Sequence, residues 1–141
     1  HNGEMIALAD GEAPYISETI ETGFVVMEGE TERSTDDPVY KTRKKIATNG
    51  AIFVTLPVDK RGFLKGTPEV SSAGIFETDD TGFMKRQIQI EITRAIDNLT
   101  KSERKDKSNL IRAVQAASNR VVRASLGADK KPQYSVHFVQ K

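Results

Sequence analysis

The sequence predicts an α+β fold. A small three-stranded sheet in the order β-β-α-α-β is covered by two antiparallel helices as a two-layer sandwich, preceded by an extended linker segment. Three observations carry this. Ala51-Ile-Phe-Val-Thr-Leu-Pro-Val58 and Tyr134-Ser-Val-His-Phe-Val139 have strand composition, the second alternating apolar and polar residues. From Asp80-Thr81-Gly82 the apolar period changes from two to 3.6. Asp59-Lys60-Arg61-Gly62 is a short hairpin connection, with Gly62 supplying a positive φ. One apolar stripe per helix and one apolar face per strand can be buried together only in layers.

Taken in order, Met5-Ile-Ala-Leu8 reads as a short strand ended by the Asp10-Gly11 turn. Gly23-Phe-Val-Val-Met-Glu-Gly29 reads as a second, and neither has an obvious mate. From Glu28 to Asp37 the chain is polar and acidic without an apolar anchor, which predicts a loop or linker. The first 37 residues therefore look like a piece that leans on something else. Pro38 to Ala47 can form a short helix, with Asp37 as N-cap and Pro38 at its first position, stopped by Asn49-Gly50. In the strand that follows, Pro57 suggests an edge or a bulge. The return strand from about Phe63 to Ile75 is bent by its glycines and Pro68.

Asp79, Asp80 or Thr81 can cap the next helix, where Met84, Ile88, Ile92, Ala95, Ile96 and Leu99 share one face. Lys101 to Lys107 has no apolar residue and is expected to be a connection. A helix restarting at Ser108-Asn109 carries the stripe Leu110, Val114, Ala117, Val121 and Ala124, and Gly127 closes it. After the turn through Pro132 comes the last strand.

At 141 residues the chain has room for one core and not for two. Without Cys, and with only His1 and His137, disulfide scaffolds, thiolate zinc sites, cysteine nucleophiles and His-rich metal centres are excluded. No apolar run is long enough to span a bilayer, and the acidic start is not a secretory signal. A soluble, cytoplasmic protein with no membrane partner is expected. The formal net charge of +1 hides a split: residues 1–80 hold 8 Lys/Arg against 15 Asp/Glu, and residues 81–141 hold 13 against 5. Such asymmetry speaks about partners rather than fold.

Catalytic signatures are missing. Lys65-Gly66-Thr67 resembles the tail of a phosphate loop but lacks the upstream glycine and lies in a strand. Asp36-Asp37 and Asp79-Asp80 could hold a hard cation, although such pairs at loop-to-helix junctions usually cap helices. His137 on a strand face reads as a surface or interface residue. The candidates for RNA contact are Lys41, Arg43, Lys44, Lys45, Lys60, Arg61, Arg104, Lys105 and Lys107. The same cations equally suit a solvated surface. Only Tyr40 and Tyr134 could serve as stacking platforms. Self-association through exposed strand edges is the other candidate, carried by Ile52, Val54, Tyr134, Val136 and Phe138; the alternative is that both edges are covered within the monomer.

The run Asn49-Gly50-Ala-Ile-Phe-Val-Thr-Leu-Pro-Val-Asp59-Lys-Arg-Gly62-Phe-Leu64, with Pro68-Glu-Val70 and Gly74-Ile-Phe76, resembles the start of the C-terminal domain of the ribonuclease J family. Lys131-Pro132-Gln-Tyr-Ser-Val136-His-Phe-Val139 resembles its closing strand. Asn2-Gly3-Glu4-Met5-Ile6 is similar to a strand near the end of that family's metallo-β-lactamase core, with Glu4 where the family has Asp. Gly23-Phe-Val-Val-Met-Glu28-Gly29 is similar to its linker strand, whereas the acidic stretch Glu30–Asp37 follows no family pattern. The resemblance implies two parts, 1–37 as the last core strand and linker and 38–141 as the C-terminal domain. It implies a parent that is a zinc-dependent hydrolase, cutting RNA internally and degrading it from the 5′ end. The zinc ligands of that parent lie in His motifs of its β-lactamase core and β-CASP insert, none of which is present. The fragment is thus expected to have no cofactor and no catalytic residue of its own. Its implied partners are the parent catalytic core and further copies of itself, in support of activity, with RNA binding by the basic C-terminal half as the alternative.

Overall fold

The computed structural model describes residues 2–76 and 81–141, apart from the side chain of Thr81. Asp79 and Asp80, expected as a helix cap or a cation-binding pair, lie outside the described residues, as does His1. The class is α+β, with small sheets and, among the described residues, four helices. The chain divides into two compact units, His1–Lys41 and Thr42–Lys141.

In the first unit β1 (Glu4–Ala7) pairs antiparallel with β2 (Tyr15–Thr19), and β3 (Val26–Glu28) with β4 (Thr31–Arg33). Both strands expected to lack a mate therefore find one a short turn away. The polar composition of β4 hid it, because its role is backbone pairing around Gly29 rather than burial. Arg33, at its end, donates to the Glu28 carboxylate and, at 3.0 Å, to Asp37. No described residue from 2 to 41 is buried. Leu8 and Phe24 are 79% and 72% exposed, so this unit has paired backbone but no core of its own.

Helix α1 (Pro38–Asn49) starts as expected at Asp37, whose carboxylate accepts from the N–H of Val39 at 2.7 Å. That bond, with a smaller contribution from Arg33, holds the Asp37 carboxyl below its ordinary range. Gly50 (φ +74°) then turns the chain into a strand. A Cβ there would come within 2.6 Å of the carbonyl oxygens of Ala73 and Gly74, so only glycine fits.

Three strands form the main sheet, in the order β6-β5-β7. β5 (Ala51–Val58) lies in the middle, antiparallel to β6 (Glu69–Ala73) and parallel to β7 (Gln133–Gln140). This corrects the expectation that Ile52 and Val54 serve self-association. β5 is bonded on both sides, and both side chains are fully buried. Pro57 is tolerated in this central strand for a specific reason. The regular β6 ladder ends at Thr55↔Glu69, so Pro57 falls in the irregular hairpin arm bridged at Val58↔Leu64 and interrupts no continuous ladder. Instead its carbonyl accepts from Lys65 N at 2.7 Å.

One cluster joins Ile52, Val54, Leu56 and Val58 of β5 to Ile88, Ile92 and Ile96 of α2 (Thr81–Asp97) and to Leu110, Val114, Ala117 and Val122 of α4 (Lys107–Leu126). The α2 stripe is the expected one. On α4 the expected Leu110, Val114 and Ala117 are buried and Val121 packs against the core, but Ser118 and Val122 are buried as well and Ala124 is exposed. The contact also takes in the row 114-118-122, which the polar Ser118 kept out of the apolar stripe. The expected connection between these helices is itself partly helical, α3 (Lys101–Lys105). Thr100 and Glu103 form a reciprocal capping box. Thr-x-x-Glu was legible in the sequence, but the lack of apolar residues masked it. Among the described residues no helix is long and apolar enough to cross a membrane.

Gly62 (φ +80°) approaches α3 so closely that an added Cβ would stand 1.9 Å from the Arg104 carbonyl oxygen. Gly62→Ala is therefore expected to cost at least about 1–3 kcal/mol from backbone strain alone, with the clash adding to it. Urea denaturation checks this, and an unchanged midpoint would contradict the close approach.

Candidate nucleic-acid interface

The turn after β5 is built by Asp59. Its Oδ1 accepts from the N–H groups of Arg61 (2.8 Å) and Phe63 (3.0 Å), and its Oδ2 lies 3.4 Å from Lys65 Nζ. The Phe63 N–H is the main reason the carboxyl titrates below its usual range, helped by Arg61 and Lys65. With its carboxylate occupied, the turn presents Lys60 and Arg61 outward as exposed cations.

α3 and the start of α4 bring more cations to the same place. A cavity of about 350 Å³ is lined by Lys60, Arg104, Lys105 and Lys107 over a floor that includes Leu110 and Phe138. Four of the nine residues singled out for RNA contact thus converge here, with Arg61 on the adjoining turn. Lys107 Nζ sits 5.6 Å from the centroid of the Phe138 ring, a cation–π contact that holds the ammonium over the cavity floor.

Arg104 has another task. Its Nε donates to Ile96 O at 3.1 Å and its Nη2 to Asp97 O at 2.5 Å, so its guanidinium closes the C-terminal end of α2. Its Cζ also lies 4.5 Å from the centroid of the Phe63 ring. The charge that looked available in the sequence is engaged in joining α2, α3 and the hairpin.

The other candidates are placed separately. Lys41, Arg43, Lys44 and Lys45 are exposed on α1, and Lys41 forms an ion pair with Asp36 at 2.8 Å. Tyr134, Val136 and Phe138 pack against the core cluster, with Ser135 and Val139 on the alternate positions. Tyr40 is half-buried. Tyr134 is too, and its hydroxyl donates to Asn119 Oδ1 at 2.8 Å. Burial, opposed by the charge of Arg123, raises the Tyr134 pKa to about 12, so the phenol remains a donor at neutral pH. Neither tyrosine has a free face comparable to an exposed stacking platform. Lys45 and Tyr134 do meet at a second cavity with Gln115, Asn119, Arg123 and Lys131. Charge and motif spacing did not single out the last four, although Gln115, Asn119 and Arg123 form an i, i+4, i+8 polar row on one helix.

These assignments separate structural from available cations. Arg104→Ala is expected to destabilise the fold by about 1.5–3 kcal/mol, the usual value for hydrogen bonds to a charged group. Lys60→Ala and Lys105→Ala should stay within about 0.5 kcal/mol of the parent sequence. Chemical denaturation of the three variants checks the contrast, and equal small effects would refute the bracing role of Arg104. For Asp59, a folded pKa lower than the unfolded one means that its contribution is complete above about pH 3.9. It is lost as pH falls through the lowered folded value. Carboxyl titration by NMR should place Asp59 below about 3.9, and a midpoint above that would contradict the turn geometry.

The family model described as "Ribonuclease J C-terminal domain" matches residues 38–139. Over 141 residues the chain is 30% identical to ribonuclease J of Sinorhizobium meliloti (strain Sm2011 / Rm2011 / 2011), covering 99% of this chain and 24% of that protein. The chain thus spans about a quarter of the length of the curated relative it matches. With the match running from the first residue of α1 almost to the end of β7, the chain belongs to the ribonuclease J C-terminal domain family.

Proposed function

We propose that this chain is a non-catalytic accessory module of a zinc-dependent, cytoplasmic metallo-β-lactamase and β-CASP ribonuclease. In that reading residues 1–37 are the end of the catalytic core and its linker, and residues 38–141 are the C-terminal domain, its helices layered on the three-stranded sheet. The first unit supports the assignment, because it exposes Ile6, Leu8 and Phe24 and none of its described residues is buried. Such a surface suits docking to the missing core. The residues present do not fit a two-zinc centre. There is no Cys, there are only two His, and among the described residues no three His, Cys, Asp or Glu come together. In this reading chemistry on RNA is assigned to the parent core.

The module's contribution is assembly, and one observation carries this: β7 is an eight-residue edge strand containing neither Lys nor Pro. Gln133 N donates to Gly50 O and Lys141 N to Val58 O. With the period of two, that phase turns the N–H groups of Tyr134, Val136, Phe138 and Gln140 away from β5, toward the open edge. On the exposed face beside it lie Phe53, 42% exposed, and Val139. Ile52 and Val54 have no part in this, and Tyr134, Val136 and Phe138 contribute backbone rather than side chains. RNA contact through Lys60, Lys105 and Lys107 is the second reading, favoured by their convergence on one cavity.

Sedimentation velocity of the 141-residue chain tests assembly. A concentration-dependent dimer is expected, converted to monomer by His137→Lys with Val139→Lys, which add charge to the edge at exposed positions. A monomer persisting to high micromolar concentration would refute assembly by this module.

A further inference from the structure

The second cavity, of about 300 Å³, has a different character from the hairpin cleft. Three elements meet there: α1 supplies Lys45, α4 supplies Gln115, Asn119 and Arg123, and the start of β7 with the residue pair before it supplies Lys131, Pro132, Gln133 and Tyr134. Three cations and three carboxamides line it, and no carboxylate does. Elsewhere in the chain, Arg33, Lys41, Lys65, Arg94 and Arg120 are paired with acids, while others such as Lys60 and Lys105 are not, among the described residues. None of the three cations here has an ion-pair partner among the described residues. The α4 C-terminus accounts for one of them, since Arg123 lies in its last turn, where helix carbonyls favour positive charge. Lys45 and Lys131 have no such compensation.

The cavity is also braced. Lys131 N donates to Asn49 Oδ1 at 3.2 Å, tying the approach to β7 to the end of α1. The Tyr134 hydroxyl occupies Asn119 Oδ1, which fixes the carboxamide with its Nδ2 group as the remaining donor. Like charges converge there with no carboxylate to neutralise them, beside one amide, Asn119, whose oxygen is taken by the Tyr134 hydroxyl. A polyanion supplies what is missing: phosphates for the cations and base-edge acceptors for the amides.

We infer that this cavity, formed by Lys45, Asn119, Arg123 and Lys131, is a binding subsite for single-stranded RNA. The inference rests on the ribonuclease J reading for the identity of the polyanion, and on the geometry above for the place. It adds a second contact point to the hairpin cleft and uses Arg123 and Lys131, which the charge runs of the sequence did not single out. Lys45, Arg123 and Lys131 are all exposed, so neutralising them should leave the core intact.

The test is fluorescence anisotropy with a labelled single-stranded oligouridylate and the full 141-residue chain, between about 50 and 200 mM salt. The triple variant Lys45→Gln, Arg123→Gln, Lys131→Gln should bind at least about tenfold more weakly. Its dependence of log K on log salt should be shallower by about 2, at ~0.7 for each single-strand phosphate that is no longer neutralised. Asn119→Asp, which keeps an acceptor for Tyr134 but turns the donor into a charge, should weaken binding without moving the urea midpoint. Should the triple variant bind like the parent sequence while Lys60→Gln with Lys105→Gln loses affinity, the subsite is wrong and RNA binding by the hairpin cleft stands. No binding by the parent sequence at low salt would overturn both. Weakened binding and a shallower slope in the triple variant alone would establish the subsite.

Discussion

Ile52, Val54, Leu56 and Val58 all leave β5 on one face, and the second unit is organised around keeping that face dry. Burying side chains of this kind is worth about 1.5–3 kcal/mol each, so the strand needs cover along its whole length. α2 and α4 provide it with Ile88, Ile92, Ile96, Leu110, Val114 and Val122. The rest follows from holding those helices in place. Gly50 allows the abrupt entry into β5, Asp59 closes the turn that leaves it, and Gly62 lets that turn meet α3 backbone to backbone. Arg104 then joins the turn to the end of α2.

This arrangement divides the cations into two kinds. Those whose charge is engaged inside the chain, Arg104 above all, cannot also hold a ligand without weakening the fold. Several of those left over line two cavities, one beside the hairpin and one where α1, α4 and β7 meet. Clustered cations of this kind raise the local positive potential, which is the ground for the RNA contacts proposed at both cavities.

The first unit obeys a different rule. Its four strands satisfy their backbone in pairs, yet apolar side chains such as Leu8 and Phe24 remain in water. Two-stranded ribbons of this length are marginal alone. In the proposed parent their apolar surface would be covered by the catalytic core, and the open edge of β7 by another copy of the module.

Much of this was legible in the residues. Period-two and period-3.6 patterns identified β5, β7, α2 and α4; Asp37-Pro38 and Gly127 marked helix ends; and the glycine and aspartate spacing around the hairpin carried the family resemblance. These are local signals, expressed within one turn or one pleat. The mates β2 and β4 escaped because short exposed strands pair through backbone and need no apolar pattern. Ser118 and Val122 of α4 escaped because the polar serine interrupts their row, and only the neighbouring helix and strand enclose it. Which strand is central, and hence that Ile52 and Val54 are interior while β7 keeps an open edge, depends on a parallel pairing between segments about 80 residues apart. The separation of braced Arg104 from unpaired Lys45, Arg123 and Lys131 has the same origin. A charge in a sequence is only a charge, and what it faces is decided when distant elements are brought together.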